Sequence, residues 1–202
     1  MSQPPTIASD AKPNERHKPG IMARVINLGI TIILALFMAW LLQTFIFQFY
    51  QVQQDSMETT LQPGQYILVD KLSGNFVPYT RGDIVIFRAP EALGVNTPFV
   101  KRVIGLPGDT VDLKDGRVFI NGQALSEPYV FTDDGSGSQP ESNHPSHWVV
   151  PAGQVFLMGD HRNVSRDSRD FGPVNISSII GRAYIRAWPS PVFFNTAPWD
   201  NH

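Results

Sequence analysis

Cysteine is absent from all 202 residues. There can therefore be no disulfide, no thiolate nucleophile and no cysteine-ligated metal. Excess charge of either sign is lacking as well: 16 Lys and Arg against 18 Asp and Glu leave a net charge of -2, with no basic stripe. That balance leaves no footprint for a nucleic-acid partner. From Val25 to Gln54 there is no Asp, Glu, Lys, Arg or His, and no internal repeat is visible anywhere. A chain of this length holds one domain plus an anchor, or one domain with a smaller lobe inserted. Its 17 Pro and 16 Gly fit a turn-rich β domain better than a helical bundle.

The uncharged stretch is strongly apolar from Val25 to Phe47, long enough as a helix to cross a hydrocarbon core of about 30 Å. Asn27, Thr31 and Gln43 weaken it without adding charge, and Tyr50 is placed to mark the far interface. A cleaved signal would end in small residues, whereas this run continues into Thr44-Phe45-Ile46-Phe47-Gln48-Phe49-Tyr50. A buried core helix is the other alternative, but the segment is apolar on all sides and follows a polar, proline-bearing leader. Lys12, Arg16, Lys18 and Arg24 precede the span, and the first positive residue after it is Lys71. The positive-inside rule then keeps the N-terminus cytoplasmic. The expected organisation is a cytoplasmic leader over residues 1–24, disordered over its first 20, an anchor over 25–47 and an exported domain over 48–202.

Beyond the anchor, short apolar runs alternate with turn chemistry. Strands are predicted at 66–69, 84–87, 99–104, 110–113, 117–120, 155–158 and 182–186. Asp115-Gly116 is a two-residue hairpin signal, and Asn121-Gly122 marks the next turn. The stretch from Thr132 to His147 reads as a loop. The expected fold class is mainly β: an antiparallel β domain on a single transmembrane helix.

Three segments carry side chains with chemical potential. In Phe99-Val100-Lys101-Arg102-Val103-Ile104, alternation puts Lys101 on the face of Phe99 and Val103, and Arg102 on the face of Val100 and Ile104. An inward Lys101 would lose water and become a candidate base; otherwise one of the two cations simply snorkels to solvent. Ser56 lies a few residues past the membrane exit and needs a base to act as a nucleophile. Asp55 followed by Glu58 equally resembles a helix N-cap there. The third segment, Met158 to Pro173, is dense in hydroxyls and both charge signs. It is either an exposed loop of weak ion pairs or a brace, with Asp160, Asp167 and Arg169 around a hydroxyl such as Ser165.

Taken together these segments resemble the bacterial type I signal peptidases (leader peptidases), membrane-anchored serine endopeptidases with a Ser-Lys dyad. Ser56-Met57 with Thr60-Leu61 is similar to the family's nucleophile box, and Arg81 to Phe87 to the strand after it. Lys101 to Asp109 resembles the lysine box, and Gly159-Asp160, Arg162, Ser165 and Asp167-Ser168-Arg169 the last box. The resemblance implies Ser56 as acyl-forming nucleophile, Lys101 as general base, and Ser165 holding the lysine amine. It further implies a supporting Asp167–Arg169 ion pair, with Gly159 and Asp160 shaping the loop and Arg102 reaching water or a carboxylate. A smaller β region is implied around residues 110–150. Substrates would be signal peptides of secretory preproteins cut at small-residue, Ala-x-Ala-like sites, held in shallow pockets lined by Met57, Ile84, Ile86 and Val100. No cofactor or metal is implied. Membrane lipid is the second expected partner and the secretion translocon a third candidate. The implied place is the outer face of a plasma membrane, with a thylakoid membrane as the alternative.

Three positions depart from the family pattern. Thr59 replaces a usual proline, His161 a common asparagine, and Gln54 stands where some members carry a serine that completes the oxyanion hole. Competing readings also exist. One is a serine hydrolase based on His161, with Asp160 as a poorly placed orienter and His144 and His147 as further histidines. The other is a non-enzymatic exported β module using the aromatic residues Trp188, Phe193, Phe194 and Trp199 for interaction.

Overall fold

The computed structural model describes residues 20–135 and 146–194. The leader cations Lys12, Arg16 and Lys18, together with His144 and Trp199, lie outside the described residues. The chain divides into two units, residues 1–40 and 41–202. Helix α1 (Ile21–Phe45) supplies the described part of the first unit, and its last turn belongs to the second. At 1.5 Å per residue its 25 residues rise about 37 Å. Apolar side chains are exposed all round it, a helix long and apolar enough to cross a membrane and consistent with membrane anchoring. It starts at Ile21, four residues before the predicted span. Phe47 opens a strand instead, because the backbone there pairs with Asp70.

The second unit is built from antiparallel strands. The larger sheet contains β1 (Phe47–Gln51), β2 (Tyr66–Asp70), β3 (Ile84–Phe87) and β4 (Phe99–Gly105). A second sheet is made of β5 (Thr110–Lys114), β6 (Arg117–Ile120), β7 (Gln123–Ala124) and β8 (His147–Val149). The chain then returns to the first sheet with β9 (Gln154–Met158), the short helix α2 (Ser168–Phe171), β10 (Val174–Asn175), β11 (Ile179–Trp188) and β12 (Val192–Phe193). Strand order in the larger sheet is β1-β2-β11-β3-β4-β9-β10, with β12 on β11; in the smaller it is β7-β6-β5-β8. The smaller sheet runs from Thr110 to Val149, between β4 and β9 of the larger one.

Local chemistry fixes the hairpins as read. Asp115 and Gly116 both take positive φ (52° and 71°), as do Asn121 and Gly122 (52° and 81°), the pair of left-handed residues a tight two-residue turn requires. Where the chain leaves β4, Asp109 accepts from the Leu106 N–H at 2.7 Å and pairs with Arg81 at 2.8 Å. Trp148 and Phe156, 4.9 Å apart, join the smaller sheet to the larger within a core that includes Ile104, Val111, Val118 and Met158.

Strand β4 changes partner along its length. It pairs with β3 over Phe99–Arg102, and with β9 only from Arg102 onward. The edge of Phe99–Lys101 facing away from β3 therefore has no strand beside it among the described residues. At the far end of β4, a Cβ on Gly105 would approach Val111 Cγ2 to 2.7 Å and Phe156 Cβ to 3.0 Å. Gly105→Ala should cost about 1–3 kcal/mol, read as a lowered unfolding midpoint in denaturant; an unchanged midpoint would show that the sheets can part there.

Candidate active site

Ser56 lies in a 3-10 turn, Asp55–Met57, immediately after β1. Asp55 is not its N-cap: that position is Gln54, whose side chain makes no capping bond. The turn closes through Glu58 N–H to the Asp55 carbonyl at 3.0 Å, and the Glu58–Thr59 peptide is cis. Ser56 and Met57 are buried. Leu61, Ile67, Ile84 and Ile86 form the core beneath them.

Lys101 reaches this turn from β4. Its side chain is 1% exposed, and Nζ contacts Ser56 Oγ at 2.6 Å. The Phe99 ring lies on the same face, 5.2 Å from the amine. Burial pushes the Lys101 amine down from 10.5 to about 8; Asp167 pulls the other way, with Arg169 adding to the fall. Arg102 does not snorkel either. It is 6% exposed and binds Asp160 through both arms of its guanidinium, at 2.6 and 2.9 Å, while Nη1 donates to the Gly82 carbonyl at 2.9 Å. The alternative in which one cation of this strand escapes to water is thus overturned: the sheet covers both faces, so Arg102 meets a carboxylate instead. Asp160 also accepts from the Thr60 hydroxyl at 2.5 Å, tying the segment after Ser56 to the loop after β9.

The loop after β9 is folded around Asp167. Burial raises this carboxyl, but the Arg169 guanidinium and the Gly159 N–H outweigh it and hold it below the usual carboxylate range. Arg169 donates to both Asp167 oxygens, at 2.8 and 2.9 Å. Ser165 Oγ donates to Asp167 Oδ2 at 2.7 Å, and no hydrogen bond joins Ser165 to Lys101 among the described residues. Asp167 also caps α2, so one carboxylate orders the hydroxyl, the helix and the strand end together. Gly159 has no room for a side chain: a Cβ would collide with Ser165 Oγ and the Ser56 carbonyl.

Beside Ser56 lies an open cleft of about 150 Å³, bounded by Gln51–Gln54 on one side and Thr97, Pro98 and Val100 on the other. Met57, Ile86 and Val100 are among the residues that line it. Ile84 does not; it sits one step deeper in register, opposite Arg102 and Ala183, and packs in the core. His161 is no base for Ser56, because its ring nitrogens face Glu58 and Asp133. His147 pairs with Asp112 on the smaller sheet.

Some participants carry no local signal in the sequence. Glu127 binds Arg162 at 2.6 Å, and Tyr129 lies 4.0 Å under the Arg102 guanidinium. Both come from the segment after β7, and only the tertiary fold brings it here.

A serine hydroxyl held by a buried amine at the wall of an open cleft defines a serine hydrolase. Comparison with known proteins narrows the class. Residues 25–188 match the signal peptidase family, peptidase S26. The chain is 39% identical over 174 residues to signal peptidase I of Leptolyngbya laminosa, covering 84% of this chain and 80% of that protein. It is 40% identical over 164 residues to probable signal peptidase I-1 of Synechocystis sp. (79% and 80% covered), and 38% over 159 residues to signal peptidase I of Bacillus caldolyticus (75% and 85%). A crystal structure of a signal peptidase I from Enterococcus faecalis V583 is 34% identical, with a TM-score of 0.41 over 50% of this chain and 93% of that one. The chain belongs to the signal peptidase family, peptidase S26, and is a serine endopeptidase of signal-peptide removal.

The buried amine has a consequence for stability. Its folded value near 8 lies below the ordinary 10.5, so between them the unfolded chain binds the extra proton. Stability then rises with pH across that window, by about 3 kcal/mol at 1.36 kcal/mol per unit. Below pH 8 the full cost of the buried charge is present. In Lys101→Met the rise should vanish, leaving the variant more stable than wild type near pH 7. Unfolding midpoints at about pH 7.5 and about pH 10 check this; parallel behaviour of the two proteins would refute it.

Proposed function

We propose that this protein removes signal peptides from exported preproteins at Ala-x-Ala-like sites, with Ser56 as nucleophile and Lys101 as general base. The observation that carries the reading is the 2.6 Å contact between a buried lysine amine and a serine hydroxyl. In the neutral form, Lys101 Nζ takes the proton from Ser56 Oγ as the oxygen attacks the scissile carbonyl carbon. The tetrahedral oxyanion is met by the Ser56 N–H, which lies at the start of a 3-10 turn where N–H groups lack an intrahelical acceptor. On collapse the amine of the mature protein leaves with the proton from Lys101. Water, deprotonated in turn by Lys101, then hydrolyses the acyl-enzyme ester and frees Ser56. Ser165, its hydrogen committed to Asp167, can only accept from a further donor, and protonated Lys101 is the donor proposed.

The cleft suits an extended peptide. The outer edge of Phe99–Lys101 has no strand beside it among the described residues, so a substrate strand can bond to that backbone. Met57, Ile86 and Val100 then leave shallow apolar space for small side chains. The cations before the span support an N-terminus in the cytoplasm and a catalytic domain on the outer face. Signal peptides, membrane lipid and the translocon are the proposed partners.

Ser56→Ala and Lys101→Ala, assayed with a preprotein bearing an Ala-x-Ala site, should each lose at least about 10⁴-fold in kcat while still inserting in the membrane. Retained cleavage by either folded variant would sink the dyad. Because the neutral amine is the active form, kcat/KM should climb about tenfold per pH unit below pH 8, where the amine titrates, and level off above. A profile flat from acid to alkaline pH would contradict Lys101 as the base.

A further inference from the structure

We infer that the mature part of the substrate leaves the site along a trough between residues 88–96 and 163–178, and that Arg166 beside it favours acidic residues just after the scissile bond. The inference rests on the reading of Ser56 as nucleophile and Lys101 as base.

Two cavities lie on opposite faces of β4. The cleft beside Ser56 has Met57, Ile86 and Val100 in its lining, and these pack in the cluster that holds Leu61 and Ile67. A second cavity, of about 420 Å³, shares no residue with that cleft; its lining includes Leu93, Val164, Ser165, Arg166, Asp170 and Phe171. Leu93 and Phe171 pack on the other cluster, with Phe99 and Val103, which is the face of β4 that carries Lys101. A larger cavity of about 620 Å³ continues from the second one. Phe171 lines both, and the 3-10 turn Glu91–Leu93 contributes to both. Arg88 ties the two walls together, with its N–H on the Ser178 carbonyl at 2.9 Å and Nη2 on the Ser177 carbonyl at 3.1 Å.

Chemistry decides which end of the substrate belongs on which face. The small residues of the signal peptide take the apolar space at Met57, Ile86 and Val100. The leaving amine receives its proton from Lys101, so the mature segment begins where Lys101 stands. Ser165 adjoins that point, since a Cβ on Gly159 would collide with both Ser165 Oγ and the Ser56 carbonyl. A substrate strand cannot run on past Lys101 within the sheet, because β9 takes that edge from Arg102 onward. It leaves the sheet there, and the Ser165 cavity is the space open on the face of the amine.

Charge then sets a preference. Arg166 is exposed and makes no hydrogen bond or ion pair among the described residues. Asp170, the other charged group in this lining, is half-buried and committed, with Oδ2 accepting from the Asp167 N–H at 2.7 Å. A carboxylate on the departing segment therefore meets a guanidinium that has no carboxylate of its own.

The test uses the full-length protein in detergent and two preproteins that share a signal peptide and an Ala-x-Ala site. One carries Glu at the second and third mature positions, the other Lys. Wild type should cleave the Glu preprotein with about threefold higher kcat/KM in low salt, the scale of exposed ion pairs. The ratio should fall toward one in about 1 M salt, where charges on the surface are screened. Arg166→Glu should reverse the preference and Arg166→Gln abolish it, both with melting temperature unchanged. Arg117→Glu, the same charge change on the smaller sheet, should keep the wild-type ratio. Equal kcat/KM for the two preproteins in wild type would overturn the inference, as would the wild-type ratio persisting in both Arg166 variants. A reversal in Arg117→Glu would overturn it too, because net charge alone would then be responsible. If Arg166→Glu does not fold, Arg166→Gln decides alone. Cleavage surviving Ser56→Ala would overturn the nucleophile reading itself; an inactive Ser56→Ala beside a wild type blind to charge would overturn the trough only.

Discussion

The 2.6 Å contact between Lys101 and Ser56 exists because a side chain that prefers water is carried on an inward face of a sheet. Phe99 and Val103 flank Lys101 on that face, and Val85 lies opposite it in the neighbouring strand. Desolvation is the largest influence on the amine, and it is what makes a neutral lysine accessible near physiological pH. The cost is borne in the folded state and must be offset elsewhere. Large apolar clusters on both faces of the sheet supply that offset.

Buried arginines follow a different rule. Arg102 is matched by Asp160, Arg169 by Asp167, Arg162 by Glu127 and Arg182 by Asp83, at 2.6 to 3.0 Å. Such pairs contribute little net stability, since desolvation cancels much of the attraction. Their value here is geometric. Each links segments distant in the chain or orders the loop after β9, and the Arg102–Asp160–Thr60 group ties the three functional segments together. Lys101 differs from them in that its short contact is to a hydroxyl, the one partner that can surrender a proton to it.

Strand periods, the Asp-Gly and Asn-Gly turns and the uncharged span were legible because each is written in neighbouring residues. The pairing of Lys101 with Ser56 was not written locally. It became readable through the ordered boxes, since a lysine in a strand and a serine in a turn have bland readings separately. β1 is missing from the predicted strands and its first residue, Phe47, falls in the predicted anchor, because Phe47 looks alike in a membrane helix and in a strand edge. Ile84 was misplaced for a related reason: periodicity gives the face of a strand, while depth along it depends on register with β11 and β4. Glu127, Tyr129 and Asp133 were out of reach, since their partners lie about 30 residues away with no pattern to connect them.

The place of β11 in the larger sheet bears on the order of assembly. This ten-residue strand lies between β2 and β3, although its residues come roughly a hundred positions later in the chain. Ser56 and Lys101 are therefore synthesised long before the strand that closes the sheet supporting them. Non-local pairing of this kind is slow and comes late in folding. A partly made chain holds a serine and a lysine but no site, so proteolytic competence arrives only once β11 has been made.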